Sequence, residues 1–214
     1  MAVLGVLERG GLADLSIRHQ VAKIRVPPAR TVTATQDTVA SLKAHASPWM
    51  RAFICLCVDC GLRFMEATNA TNANYNAEQK TITFKTKGSR IHAMPVLTEL
   101  SELIEAAADT GGPTQTLLER IRGRSTHPKA IRKAWKKLKA AAGAPDNLRP
   151  HDLRRTMAAN IYTRTHDLRI TQQALGHASL TSTLHYLGAH DPNELRSLLN
   201  ELTAPHRPAT RVIQ

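Results

Sequence analysis

The 214 residues predict a mostly α-helical α+β domain carrying one small antiparallel β-hairpin sheet. Three observations support that class. Apolar residues recur at helical spacing through most of the chain beyond residue 34, one short stretch alternates with a period of two, and capping residues, Gly and Pro punctuate the intervals. Neither an internal repeat nor a low-complexity tract is visible.

Residues 1–34 carry short apolar groups broken by RGG and VPPAR, the composition of a tail or linker rather than of a core. The helical pattern starts in TATQDTVASLKAHA, with Val39, Leu42 and Ala46 on one face behind candidate caps Thr35 and Asp37. A second helix, SPWMRAFICLCVDCGL, opens on Ser47 as cap with Pro48 in its first turn and stops at Gly61. It is apolar almost all round, so it should be central. The alternating stretch is KTITFKTKGSRIHAMPV, where Ile82 and Phe84 interleave with Thr81, Thr83, Lys85 and Lys87 before a Lys-Gly-Ser-Arg turn, which reads as a β-hairpin. Further helices are expected at about 98–109, 127–142, 151–164, 169–175, 179–187 and, behind Asp191 and Pro192, 192–202. The last carries Leu195, Leu198, Leu199 and Leu202 on one stripe.

Composition narrows the function. Lys and Arg outnumber Asp and Glu by 29 to 17, a net charge of +12, so a polyanion partner is expected, with nucleic acid first. Binding to acidic membrane would need a basic amphipathic helix with large apolar anchors, and five Met, two Trp and three Phe are too thinly spread to supply one. No apolar run approaches the roughly 20 residues of a membrane span, and the first residues do not read as a signal peptide, so a cytoplasmic, nucleoid-associated protein is expected. Cys55, Cys57 and Cys60 lie in the apolar stretch AFICLCVDC without a second Cys/His cluster, which favours buried, reduced thiols over zinc ligands.

The expected helix at 127–142 places Ile131, Trp135, Leu138 and Ala142 on one stripe, with Lys129, Arg132, Lys133, Lys136, Lys137 and Lys139 around the rest. Solvated lysine faces are common. Six cations with no acid in eleven residues nevertheless exceed what solubility requires, and they are assigned to DNA phosphates.

Four segments hold unusual residue choices: CGLRFMEA, KTKGSR, HDLRRT and LGHASLTSTLHY. Arg63 stands two residues after the break at Gly61 and has Glu66 three residues on, where a carboxylate can orient a guanidinium; His151 and Arg154 share the same spacing. Such pairs alone are usually surface ion pairs. With Lys87, His177 and Tyr186 they make a set of groups suited to phosphodiester chemistry. Two arginines can grip nonbridging oxygens with forked donors, a lysine can protonate a departing alkoxide, a histidine can move the nucleophile's proton, and a tyrosine can supply the attacking oxygen. No carboxylate pair suited to Mg²⁺ stands out, so the arginines would carry the charge stabilisation, with no metal, cofactor or small-molecule substrate expected.

At these residues the chain resembles the catalytic domain of the tyrosine recombinase (phage integrase) family. Gly61-Leu62-Arg63 with Glu66 matches the family's first arginine box, and Lys87 with Gly88 and Pro95 matches its hairpin lysine. His151 to Arg154 matches H-x-x-R, and Leu175-Gly176-His177 followed by Tyr186 matches the box that ends in the nucleophile. The resemblance covers residues 35–202, with 203–214 as a C-terminal tail. It implies the integrase catalytic-domain fold and a site-specific recombinase acting on double-stranded DNA through a 3′-phosphotyrosyl intermediate. It implies Arg63, Lys87, His151, Arg154, His177 and Tyr186 as catalytic residues with Glu66 supporting them, and a homo-tetramer on DNA for the full-length protein. Lys85 lies on the same strand face as Lys87, and either could reach the site. Met65 replaces the usual small polar residue before Glu66, and Arg155 replaces the common histidine after H-x-x-R. The 34 N-terminal residues are too few for the family's helical core-binding domain. His92, His185, His190 and Arg155 match no family position. The rival readings are a type IB topoisomerase, which uses the same chemistry to relax one duplex, and a non-catalytic DNA-binding paralogue.

Overall fold

The computed structural model describes residues 31–85, 91–177 and 183. Lys87, Tyr186, the expected helix at 192–202 and all but Thr183 of that at 179–187 lie outside this set.

Helix α1 (Gln36–His45) starts where Thr35 accepts the Thr38 amide at 3.1 Å, and it buries Val39 and Leu42. Helix α2 (Pro48–Val58) has Ser47 before its first turn, although the serine side chain makes no cap bond. From Ala52 to Val58 every residue of α2 is buried, as an all-round apolar helix requires. The helix closes through Cys60 N–H to Cys55 O at 3.2 Å and Leu62 N–H to Leu56 O at 2.8 Å. That closure needs Gly61 at φ +68°, where a Cβ would also lie 2.6 Å from the Met157 sulfur.

A short helix α3 (Phe64–Asn69) follows at once. Strands β1 (Tyr75–Asn76), β2 (Thr81–Lys85) and β3 (Ile91–Pro95) form an antiparallel sheet in that order, with Ile82 opposite Met94 and Phe84 opposite His92. The expected hairpin is therefore present, with a third, two-residue strand added at its edge. Ile82, Phe84 and Met94 are buried, so the period-two pattern marks the core face.

Helix α4 (Thr98–Glu105) ends four residues before the expected 109. Hydrogen bonds outside the helix take the missing turn. Asp109 accepts from Asn72 Nδ2 at 2.9 Å and Gly112 N–H at 3.1 Å, and Ala107 O accepts from Arg120 Nε at 3.0 Å. Helix α5 (Leu117–Arg122) was not anticipated; Thr116 and Glu119 form a capping box at its start and Gly123 at φ +70° ends it.

Helix α6 (Pro128–Ala141) buries Ile131, Trp135 and Leu138, and Trp135 Nε1 donates to Leu148 O at 3.2 Å. Helix α7 (Pro150–Thr165) starts where Asp152 accepts the Arg149 amide at 2.8 Å, and α8 (Leu168–Leu175) starts at Asp167, which accepts the Arg169 amide at 2.6 Å. Helix α2 lies at the centre, packed against α7, α4 and α5, while α8 packs on α7. Val32 and Ala34 also pack against this core, and the Ala34 amide donates to Thr156 Oγ1 of α7 at 2.8 Å. All three cysteines are buried free thiols, as expected. Among the described residues no helix is long and apolar enough to cross a membrane.

Candidate active site

Three chain segments meet beside the C-terminal end of α2. The first is the reversal from Gly61 into α3, which carries Arg63 and Glu66. The second is the first turn of α7, with His151 and Arg154. The third is the end of α8, where Gly176 at φ +60° lets the chain reverse and deliver His177.

Arg154 joins them. Its side chain has no exposed surface. One terminal nitrogen, NH1, donates to Gly61 O, and NH2 donates to Leu175 O at 2.5 Å. The Glu66 carboxylate lies 3.8 Å from NH1. The same carboxylate accepts from the Arg63 backbone amide at 2.7 Å and from Arg63 NH1 at 2.8 Å. Glu66 thus caps α3 and divides one negative charge between two guanidiniums. The sequence placed both arginines at an anion, but their situations differ: Arg63 is partly exposed, whereas Arg154 spends N–H donors on two backbone carbonyls.

The positive charge is felt by both histidines. Burial first, then Arg154 and Arg63, push the His177 imidazole down to about 4. His151 keeps one side open to solvent, yet its pKa is also lowered, by the protein crowding its ring and by Arg154, Arg155 and Arg63, with Asp152 opposing. Its place in the first turn of α7 adds the positive end of the helix dipole. Both rings are therefore neutral at pH 7. His177 is fixed by His177 N–H to Gln172 O at 3.1 Å, Gln172 Nε2 to His177 O at 3.0 Å, and a 3.1 Å contact between its Nδ1 and Thr183 Oγ1.

Several contributors were not visible from the boxes. Arg155, which matched no family position, is buried and pairs with Asp152 at 3.0 Å, an i, i+3 acid–base pair that the sequence displays. His92 contacts Ala174 O at 3.2 Å through Nε2, joining β3 to the last turn of α8. Lys85 lines an open cleft together with Met65, Glu66, Asn69 and Phe84, which brings the rival lysine beside the arginine box.

On α6, Lys129, Lys133, Lys136 and Lys137 are exposed. Arg132 is exposed too and lays its guanidinium over the Phe64 ring, 4.9 Å from the centroid, while Lys139, half-buried, turns its amine onto Asp146 O. Cys55, Asp59 and Glu99 form a cluster of metal-ligating types among the described residues, but Lys43 already serves its carboxylates at 2.9 and 2.8 Å.

The phage integrase family model matches residues 32–193. Tyrosine recombinase XerC of Rhizobium meliloti (strain 1021) is 30% identical over 198 residues, covering 86% of this chain and 62% of that protein. This chain thus spans about three fifths of the length of that relative. Among solved structures, XerA recombinase superposes with a TM-score of 0.67 at 22% identity, covering 84% of this chain and 68% of that one. XerH site-specific recombinase bound to its difH substrate before cleavage gives 0.64 at 21% identity, covering 92% and 62%. These likenesses match the expected fold.

The depressed histidine has a consequence for stability. Between its ordinary value of 6.5 and about 4, His177 takes up a proton in the unfolded chain that the folded chain refuses. Stability should therefore fall on acidification through that window, by up to about 1.4 kcal/mol per pH unit from this residue. Urea denaturation at pH 7 and pH 5 should show the loss, and His177→Gln should flatten the slope. An equal slope in the variant would contradict the assignment.

Proposed function

Since the chain belongs to the phage integrase family, we propose that it is the catalytic part of a site-specific DNA recombinase, spanning residues 35–202, that exchanges strands through a tyrosine–phosphate ester. The observation that carries this reading is the Arg63–Glu66–Arg154 assembly beside two neutral histidines, a positively charged pocket with a ready base.

In the proposed reaction the Tyr186 oxygen attacks the scissile phosphorus and its proton passes to His151, which is neutral and can accept it. The P–O5′ bond breaks, the electron pair goes to O5′, and Lys87 protonates it; Lys85 is the alternative donor because it lines the cleft beside Glu66. Arg63 offers forked donors to the nonbridging oxygens, His177 offers a ring N–H, and Arg154 contributes its charge from beneath. A second 5′-hydroxyl then attacks the phosphotyrosine and releases Tyr186. One phosphodiester is exchanged for another, so the reading calls for neither ATP nor a metal ion.

Double-stranded DNA is the proposed partner, consistent with the net charge of +12 and the exposed lysines of α6. Site recognition and assembly into a tetramer are assigned to a longer protein, because the matched relative extends well beyond the shared region.

Tyr186→Phe removes one hydroxyl. It should leave DNA affinity nearly unchanged while abolishing the covalent adduct with a nicked suicide duplex, read as a denaturation-resistant band. Adduct retained by the variant would place the nucleophile elsewhere. DNA affinity should also fall steeply with salt. Replacing Lys133, Lys136 and Lys137 with Gln should reduce the slope of log affinity against log salt by about 0.9 for each phosphate that is no longer neutralised. An unchanged slope would make α6 a solvated face.

A further inference from the structure

We infer that Thr183 is a positioning residue of this site: its hydroxyl donates to Nδ1 of His177 and so keeps the ring proton on Nε2. The inference rests on the reading above, in which His177 hydrogen-bonds the scissile phosphate.

The geometry comes first. Thr183 is helical and fully buried, His177 is 8% exposed, and Oγ1 lies 3.1 Å from Nδ1. The backbone of His177 is already held in both directions by Gln172, so rotation of the ring is the freedom left to fix. A hydrogen bond to one ring nitrogen removes it.

The chemistry of the partner then sets the tautomer. Burial and the two arginine charges keep the imidazole neutral down to about pH 4, so one nitrogen carries hydrogen and the other accepts. A phosphate oxygen only accepts, and the nitrogen facing it must therefore be the protonated one. The other nitrogen needs a donor beside it. A carboxylate or carbonyl at that place would accept a hydrogen bond from Nδ1–H, hold the proton there, and leave Nε2 bare toward the phosphate. A threonine hydroxyl can donate, which makes it compatible with the required form. In the sequence Thr183 stands three residues before Tyr186, so the residue that sets the phosphate-binding histidine belongs to the segment bearing the nucleophile.

Two measurements on the full chain test this. Nitrogen-15 NMR of the histidine rings at pH 7, with His177 identified by its loss in His177→Gln, should show Nε2 protonated and Nδ1 bare but hydrogen-bonded. A protonated Nδ1 would overturn the inference. In suicide-duplex cleavage at saturating DNA, Thr183→Val should be about fivefold to tenfold slower, with DNA affinity and melting temperature unchanged, since one hydrogen bond is removed without a change of volume. Thr183→Ser should recover most of the rate. A slowing that merely follows weaker binding or reduced folding, or no slowing at all, would also overturn it. Absence of adduct from the unmodified chain would sink the recombinase reading, and the ring spectrum would then decide the Thr183 assignment alone.

Discussion

A guanidinium with no exposed surface is the constraint around which this domain is arranged. Removing a cation from water costs several kcal/mol, and the cost is tolerable only where hydrogen bonds and opposite charge surround the group. Arg154 receives Gly61 O, Leu175 O and, at 3.8 Å, the Glu66 carboxylate. Those acceptors are 93 and 21 residues distant for the two carbonyls. Two chain reversals must therefore present their carbonyls to the same side chain. Each uses a left-handed glycine, Gly61 at φ +68° and Gly176 at φ +60°, and each reversal carries a further site residue, Arg63 after the first and His177 after the second. The interaction that makes burial of the charge tolerable is the one that assembles the site.

The same charge sets the protonation of its surroundings. Glu66 is shared between Arg63 and Arg154, and both histidines respond by holding their protons more weakly. A site prepared in this way rests with neutral imidazoles and is good at receiving an anion. Phosphodiester binding fits that electrostatic state, and it fits the basic face of α6 outside the pocket.

Much of this was legible in the sequence because the informative residues are side chains at fixed spacing. Arg63 with Glu66, and His151 with Arg154, stand three apart on helical turns, and the structure brings both pairs together. The apolar run of α2 revealed the central helix, and the alternation of Ile82 and Phe84 revealed the sheet. What escaped was carried by the backbone or by tertiary competition. No residue type announces that the carbonyls of Gly61 and Leu175 will hold a guanidinium. Helix α4 ends at Glu105 because Asp109 and Ala107 are engaged by Asn72 and Arg120, partners distant in sequence. The stacking of Arg132 on the ring of Phe64, from a different helix, was likewise invisible in the sequence. Helix α5 differs, since the Thr116–Glu119 capping box and Gly123 that bound it are local signals displayed in the sequence.

The most direct test of the organising role of Arg154 is native-state hydrogen exchange in Arg154→Lys, which keeps the charge but cannot fork to two carbonyls. The amides to follow are Leu62, bonded to Leu56 O, and His177, bonded to Gln172 O, with Val96, bonded to Lys80 O, as reference. If Arg154 joins the two reversals, Leu62 and His177 lose protection together and by a similar factor, ahead of Val96. If one changes without the other, or neither changes, the two segments are held independently and the account is wrong.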